Sequence, residues 1–131
     1  MPSRREAVNA PDAPAAVGPY VHAVRSGGLL FCSGQIPLDP ATGELVGSTA
    51  GEQARRCLEN LQAICDAAGT ELTAAVKVNV YLTDMTTFAE VNEVYASFFS
   101  GGEFPARIAV GVSALPRGAQ VEIDAVVALP D

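Results

Sequence analysis

The sequence predicts an α+β domain in which a mixed β-sheet carries two helices on one face. Two observations point there. Two stretches repeat apolar residues at helical spacing, each opened by a threonine with a glutamate three residues later and each followed by glycine. Around them lie short apolar runs in the order β-β-α-β-α-β-β, with no internal repeat and no linker.

Residues 1–19 read as an arm, because Pro2, Pro11, Pro14 and Pro19 oppose regular structure. Runs at 20–25 and 29–33 flank Ser26-Gly27-Gly28 and predict a hairpin, since glycine supplies the positive φ of a tight turn. Residues 37–48, with Pro37, Pro40 and Thr42-Gly43, read as a loop. The first helix starts at the Thr49/Glu52 capping box, carries Ala54, Leu58, Leu61, Cys65 and Ala68 on one face, and stops at Gly69. Residues 76–82 alternate, with Val76, Val78, Val80 and Leu82 on one face and Lys77, Asn79 and Tyr81 on the other. The second helix is expected to open on a Thr87/Glu90 capping box, bury Phe88, Val91, Tyr95, Phe98 and Phe99, and end at Gly101-Gly102. Two strands, 107–112 and 120–129, complete the order.

Composition narrows the function classes. The 131 residues, 49% hydrophobic and 18% charged, suit one globular domain over 1–131. A chain of this size buries roughly two-thirds of its unfolded surface. Cys32, Cys57 and Cys65 are odd in number and show no pairing pattern, so they read as reduced thiols of a cytoplasmic protein. The N-terminus has no apolar run after its arginines, so a signal peptide is not expected, and no run is long enough to span a membrane. A net charge of −7 without a basic cluster argues against nucleic acid as a partner. An anionic small molecule would need a locally placed cation.

Strand phase supplies that cation. On the strand from Arg107, one face carries Ile108, Val110 and Val112, which are expected to cover the helices. The other carries Arg107, Ala109 and Gly111. On the last strand Glu122 falls among Gln120, Asp124, Val126 and Ala128, opposite Val121, Ile123, Ala125, Val127 and Leu129. Arg107 and Glu122 are therefore expected on the same face, in partly apolar company. Two accounts stand at this point: ordinary surface charges on an open sheet, or a site at a seam covered by another subunit.

Other residues remain open in the same way. Asn92 lies within the second helix's apolar stripe, where an amide needs a partner. Tyr20 suits a core or boundary aromatic, and Ser33 before Gly34 suits a turn cap. His22 is the single histidine and has no triad or metal-ligand pattern around it, and Cys57 and Cys65 suit core packing. Neither a zinc pattern nor a phosphate-binding glycine loop is present, which leaves cofactor-free chemistry or pure binding.

Six segments carry a resemblance: Ala15-Ala16-Val17-Gly18-Pro19-Tyr20, Ser33-Gly34-Gln35-Ile36-Pro37-Leu38-Asp39-Pro40, Tyr81-Leu82-Thr83-Asp84-Met85, Phe88-Ala89-Glu90-Val91-Asn92-Glu93-Val94-Tyr95, Pro105-Ala106-Arg107 and Val121-Glu122-Ile123-Asp124-Ala125. In this order they resemble the Rid (YjgF/RidA) family of reactive-intermediate deaminases, from about Asn9 to Leu129. The resemblance implies a chorismate-mutase-like fold and a homotrimer with a site in each cleft between subunits. It also implies hydrolysis of short 2-imino acids and enamines, such as 2-aminoacrylate, to 2-keto acids and ammonia.

The family's site positions fall on Tyr20, Ser33, Asn92, Arg107 and Glu122, with the backbone near Gly34 adding contacts. A guanidinium grips a carboxylate through two parallel hydrogen bonds, and a carboxyl group such as Glu122 can position water and exchange protons. Ile108 and Ala109 depart from the family's small hydroxyl or thiol residues. Ala109 is expected beside Arg107, widening the pocket, and Ile108 is expected toward the core. His22 replaces a frequent glutamine. Competing functions are a non-catalytic trimer that binds small carboxylates or acts as a chaperone, an endoribonuclease, and a pathway-specific deaminase of the aminomuconate type.

Overall fold

In a computed structural model describing residues 4–131, six strands form one sheet with the order β1-β2-β3-β6-β4-β5. They are β1 (Glu6–Val8), β2 (Ala23–Ser26), β3 (Leu29–Gln35), β4 (Ala75–Leu82), β5 (Ala106–Gly111) and β6 (Val121–Ala128). Only β4 and β5 are parallel. Helices α1 (Ala50–Ala68) and α2 (Phe88–Ser97) pack over the same face, where Leu58, Leu61, Ile64, Val78, Val80, Leu82, Val91 and Ile123 are buried in one cluster. The α+β class with two helices on one face is therefore observed.

Several elements sit where the chemistry put them. Gly27 and Gly28 both have positive φ and close the β2–β3 hairpin. Thr49 and Glu52 form the capping box at α1, and Gly69 ends it in the left-handed conformation at φ 80°.

Other elements differ from expectation. The arm is not irregular throughout, because β1 pairs with β2 through Glu6–Arg25 and Val8–Ala23. No proline occurs from 6 to 8, so those amides are free to join a ladder; Pro2 lies outside the described residues. Residues 20–22 precede β2 rather than belonging to it. Val76 does not share the core face of Val78, since a bulge between Ala75 and Lys77 turns it outward. Thr87 makes no side-chain cap at α2. Asp84 instead accepts the Thr86 N–H at 2.9 Å and starts a 3₁₀ turn, Met85–Thr87, that leads into the helix. The helix closes at Ser97, ahead of the two glycines.

The difference that matters most is the phase of β5. Arg107 is paired with Val78 and Ala109 with Val80, which puts both on the helix-covered face. Ile108 and Val110 are 45% and 39% exposed on the other face, and do not cover the helices. The small residues are needed under the helix layer: Met85 lies so close to Gly111 that a Cβ there would meet its Cγ at 3.1 Å. Bulk on β5 marks the open face, not the core.

Candidate active site

Arg107 lies beneath α2, which turns Phe88, Asn92 and Tyr95 toward it. The spacing i, i+4, i+7 places these three on one helix face. The Arg107 Nη1 donates to Asn92 Oδ1 at 2.6 Å, and its Cζ sits 5.5 Å from the Phe88 ring centre and 4.8 Å from that of Tyr95. Tyr95 in turn packs on Phe99. Arg107 forms no ion pair with an acidic side chain among the described residues. The Tyr95 hydroxyl is buried without a hydrogen-bond partner among them. Burial raises its pKa, against the opposing pull of Arg107. Phe104 and Pro105 complete the recess over the guanidinium.

Glu122 belongs to a second recess of about 450 Å³, lined among others by Tyr20, Ser33, Gly34, Ile36 and Leu38. Gly34 leaves room there for the Glu122 carboxyl, which a side chain at 34 would displace. Burial, and secondarily Asp124, raises the Glu122 pKa from its ordinary value. Asp124 itself accepts from Asn79 Nδ2 at 2.7 Å and from the Tyr81 hydroxyl at 3.1 Å. Ser33 is more than a turn cap. Its hydroxyl donates to the Val21 carbonyl at 2.6 Å and its N–H to the His22 carbonyl at 2.9 Å, so it fastens the strand entry to β3. Tyr20 stands 45% exposed at the rim.

The structure thus gathers Tyr20, Ser33, Gly34 and Glu122 in one place, and Asn92 with Arg107 in another. Arg107 and Glu122 do not share a face. Tyr81 on β4 pairs with Glu122 and with Val110, whereas Val78 pairs with Arg107, so the two side chains leave the sheet on opposite sides. Ala109 shares Arg107's face but packs against the core and lines neither recess. Ile108, expected toward the core, points to the open face.

Sequence reasoning missed Phe88 and Tyr95 as site residues because both also fit the core stripe. Their signal was the shared helix face with Asn92. All three thiols are buried, and two are raised, Cys57 by burial first and Cys32 by contact with Cys65 and then burial, which suits packing rather than nucleophilic work. Among the described residues no group of three or more His, Cys, Asp or Glu side chains is placed to hold a metal ion, and no helix is long and apolar enough to cross a membrane.

The profile of the family described as Endoribonuclease L-PSP matches residues 10–129. The chain belongs to the YjgF/Rid family. The RutC family protein y4sK of Sinorhizobium fredii (strain NBRC 101917 / NGR234) is 56% identical, over 95% of this chain and 98% of its own. The 2-iminobutanoate/2-iminopropanoate deaminase of Mus musculus is 45% identical over 93% of this chain and 90% of its own. Among solved structures, E. coli TdcF with bound serine superimposes with a TM-score of 0.90 at 40% identity, covering 95% of this chain and 99% of that one. Rid relatives therefore include imine deaminases as well as proteins named for other roles.

Proposed function

We propose that this protein hydrolyses reactive 2-imino acids and their enamine tautomers to 2-keto acids and ammonia, at sites assembled between the subunits of a homotrimer. The observation that carries this reading is the Arg107 cradle. A guanidinium held by Asn92 and two rings, with no acidic partner among the described residues, suits the two oxygens of a substrate carboxylate. The name of the mouse relative and the serine bound by TdcF support a small amino-acid-like ligand.

One subunit cannot bring Arg107 and Glu122 to the same small molecule, because they leave opposite faces of the sheet. Phe31, Ile108 and Val110 are large, apolar and exposed on the face that Glu122 shares, which favours its coverage by a neighbouring copy. In the arrangement we assign, Arg107 of one subunit holds the carboxylate while Glu122 of the next meets the reacting carbon.

The chemistry then needs only water and proton transfers. An enamine first takes a proton on its terminal carbon and gives one up from nitrogen, becoming the imine. Water adds to the imine carbon, losing a proton as the nitrogen gains one; the carbinolamine's amino group then takes a second proton and leaves as ammonia, while loss of the hydroxyl proton forms the keto acid. A carboxyl whose pKa is raised by burial, such as Glu122, gives as well as takes protons more readily than an ordinary exposed carboxylate. The charge of −7 opposes RNA as substrate despite the family description.

The test is a coupled assay in which the protein is added to a threonine or serine dehydratase. Keto-acid release should accelerate, and Arg107→Ala should remove roughly a thousandfold or more of kcat/KM. No acceleration by the intact protein would overturn the assignment for these substrates.

A further inference from the structure

We infer that His22 is a positioning residue: it latches the N-terminal loop against the sheet and thereby sets the wall of the Glu122 recess. The inference rests on the deaminase reading of that recess only for its activity readout.

The loop runs from Asn9 to His22, leaving the sheet after Val8 and returning at Ala23, which are paired in the β1–β2 ladder. His22 is 7% exposed at its base. Its Nδ1 accepts the Ala10 N–H at 2.8 Å, which fixes the proton on Nε2, and Nε2–H donates to the Pro14 carbonyl at 2.7 Å. An internal bond from Ala13 N–H to the Ala10 carbonyl closes this stretch into a turn. Ala10 and Ala13 are buried beneath it, while residues 15–20 beyond it are exposed.

That exposed tip carries the recess wall, with Ala15, Val17 and Tyr20 lining it next to the buried Pro14 and the His22 ring. Among the described residues the hydrogen bonds of the tip are internal: Tyr20 N–H to the Gly18 carbonyl, and Val17 N–H to the Tyr20 hydroxyl at 3.4 Å. The tip is therefore held at its two ends. Ser33 ties one end through the Val21 and His22 carbonyls, and the His22 ring ties the other through Ala10 and Pro14. With both ring nitrogens engaged, His22 has no atom left for proton transfer to a substrate. It acts through the loop it holds.

A carboxamide offers the same pairing of one acceptor and one donor, so His22→Gln can keep the latch and His22→Leu cannot. Both variants are measured for backbone amide exchange at Ala10 and for KM and kcat in the dehydratase-coupled assay. His22→Leu should speed Ala10 exchange at least about tenfold and raise KM roughly tenfold, with kcat within about threefold of wild type. His22→Gln should restore both exchange and KM. Unchanged exchange or unchanged KM in His22→Leu, or a glutamine variant no better than leucine, would overturn the proposal. If the wild-type protein releases no keto acid, the deaminase reading fails on its own. The latch is then decided by amide exchange together with 2-ketobutyrate affinity, which must weaken in His22→Leu and recover in His22→Gln.

Discussion

The Arg107 cradle rests on a strand and a helix, whereas the Glu122 recess has a sheet floor and a loop for one wall. In the cradle, Phe88, Asn92 and Tyr95 project from consecutive turns of α2 and all three meet the guanidinium. In the recess, Glu122 and Gly34 stand on paired strands, but Tyr20 rides on a tip without regular structure. The cradle suits recognition, where a fixed fork lowers the ordering cost of binding a carboxylate. The recess suits proton transfer, where a partly buried carboxyl keeps a raised pKa.

This contrast can be sharpened by substitutions on each side. The largest effect belongs to Arg107→Lys, which keeps the charge but loses the fork. It should lower kcat/KM about a hundredfold in the keto-acid assay, and near-wild-type activity would mean the cradle holds only a charge. Next comes Asn92→Ala, which frees the guanidinium from its 2.6 Å bond. KM should rise about tenfold with a smaller change in kcat, as measured by steady-state kinetics.

The smallest effect is on stability and depends on pH. Burial raises the Glu122 pKa on folding, so the stabilising contribution of its bound proton is complete below the unfolded pKa and lost as pH rises through the folded one. Glu122→Gln stays neutral throughout. Its Tm should match wild type near about pH 4 and exceed it by about 2 °C near about pH 8, a modest gain because the carboxyl is only partly buried. A lower Tm at the higher pH would mean the carboxylate is stabilised where it sits.

Much of the fold was legible because single residues carried unambiguous physics. The Thr49/Glu52 box, Gly69 and the Gly27-Gly28 turn each had one good structural use, and each was put to it. The start of α2 was less legible because Asp84, Thr86 and Thr87 all offer oxygen to backbone amides, and Asp84 won. The face of Arg107 was not legible at all from β5 alone. Alternation fixes which residues go together but not which set meets the helices, and β5 carries its bulk on the open face. Only pairing with β4 decides the phase. The candidate residues were named by family likeness; their division into two groups on two faces shows only in the strand pairing.

Subunit complementation tests that division most directly. Arg107→Ala and Glu122→Gln chains, each inactive alone, are co-expressed so that mixed trimers form. If every site takes Arg107 from one subunit and Glu122 from the next, random mixing leaves both groups intact in about a quarter of the sites. Keto-acid release should then recover to about a quarter of the wild-type rate. A mixture as inactive as its parents would contradict the account.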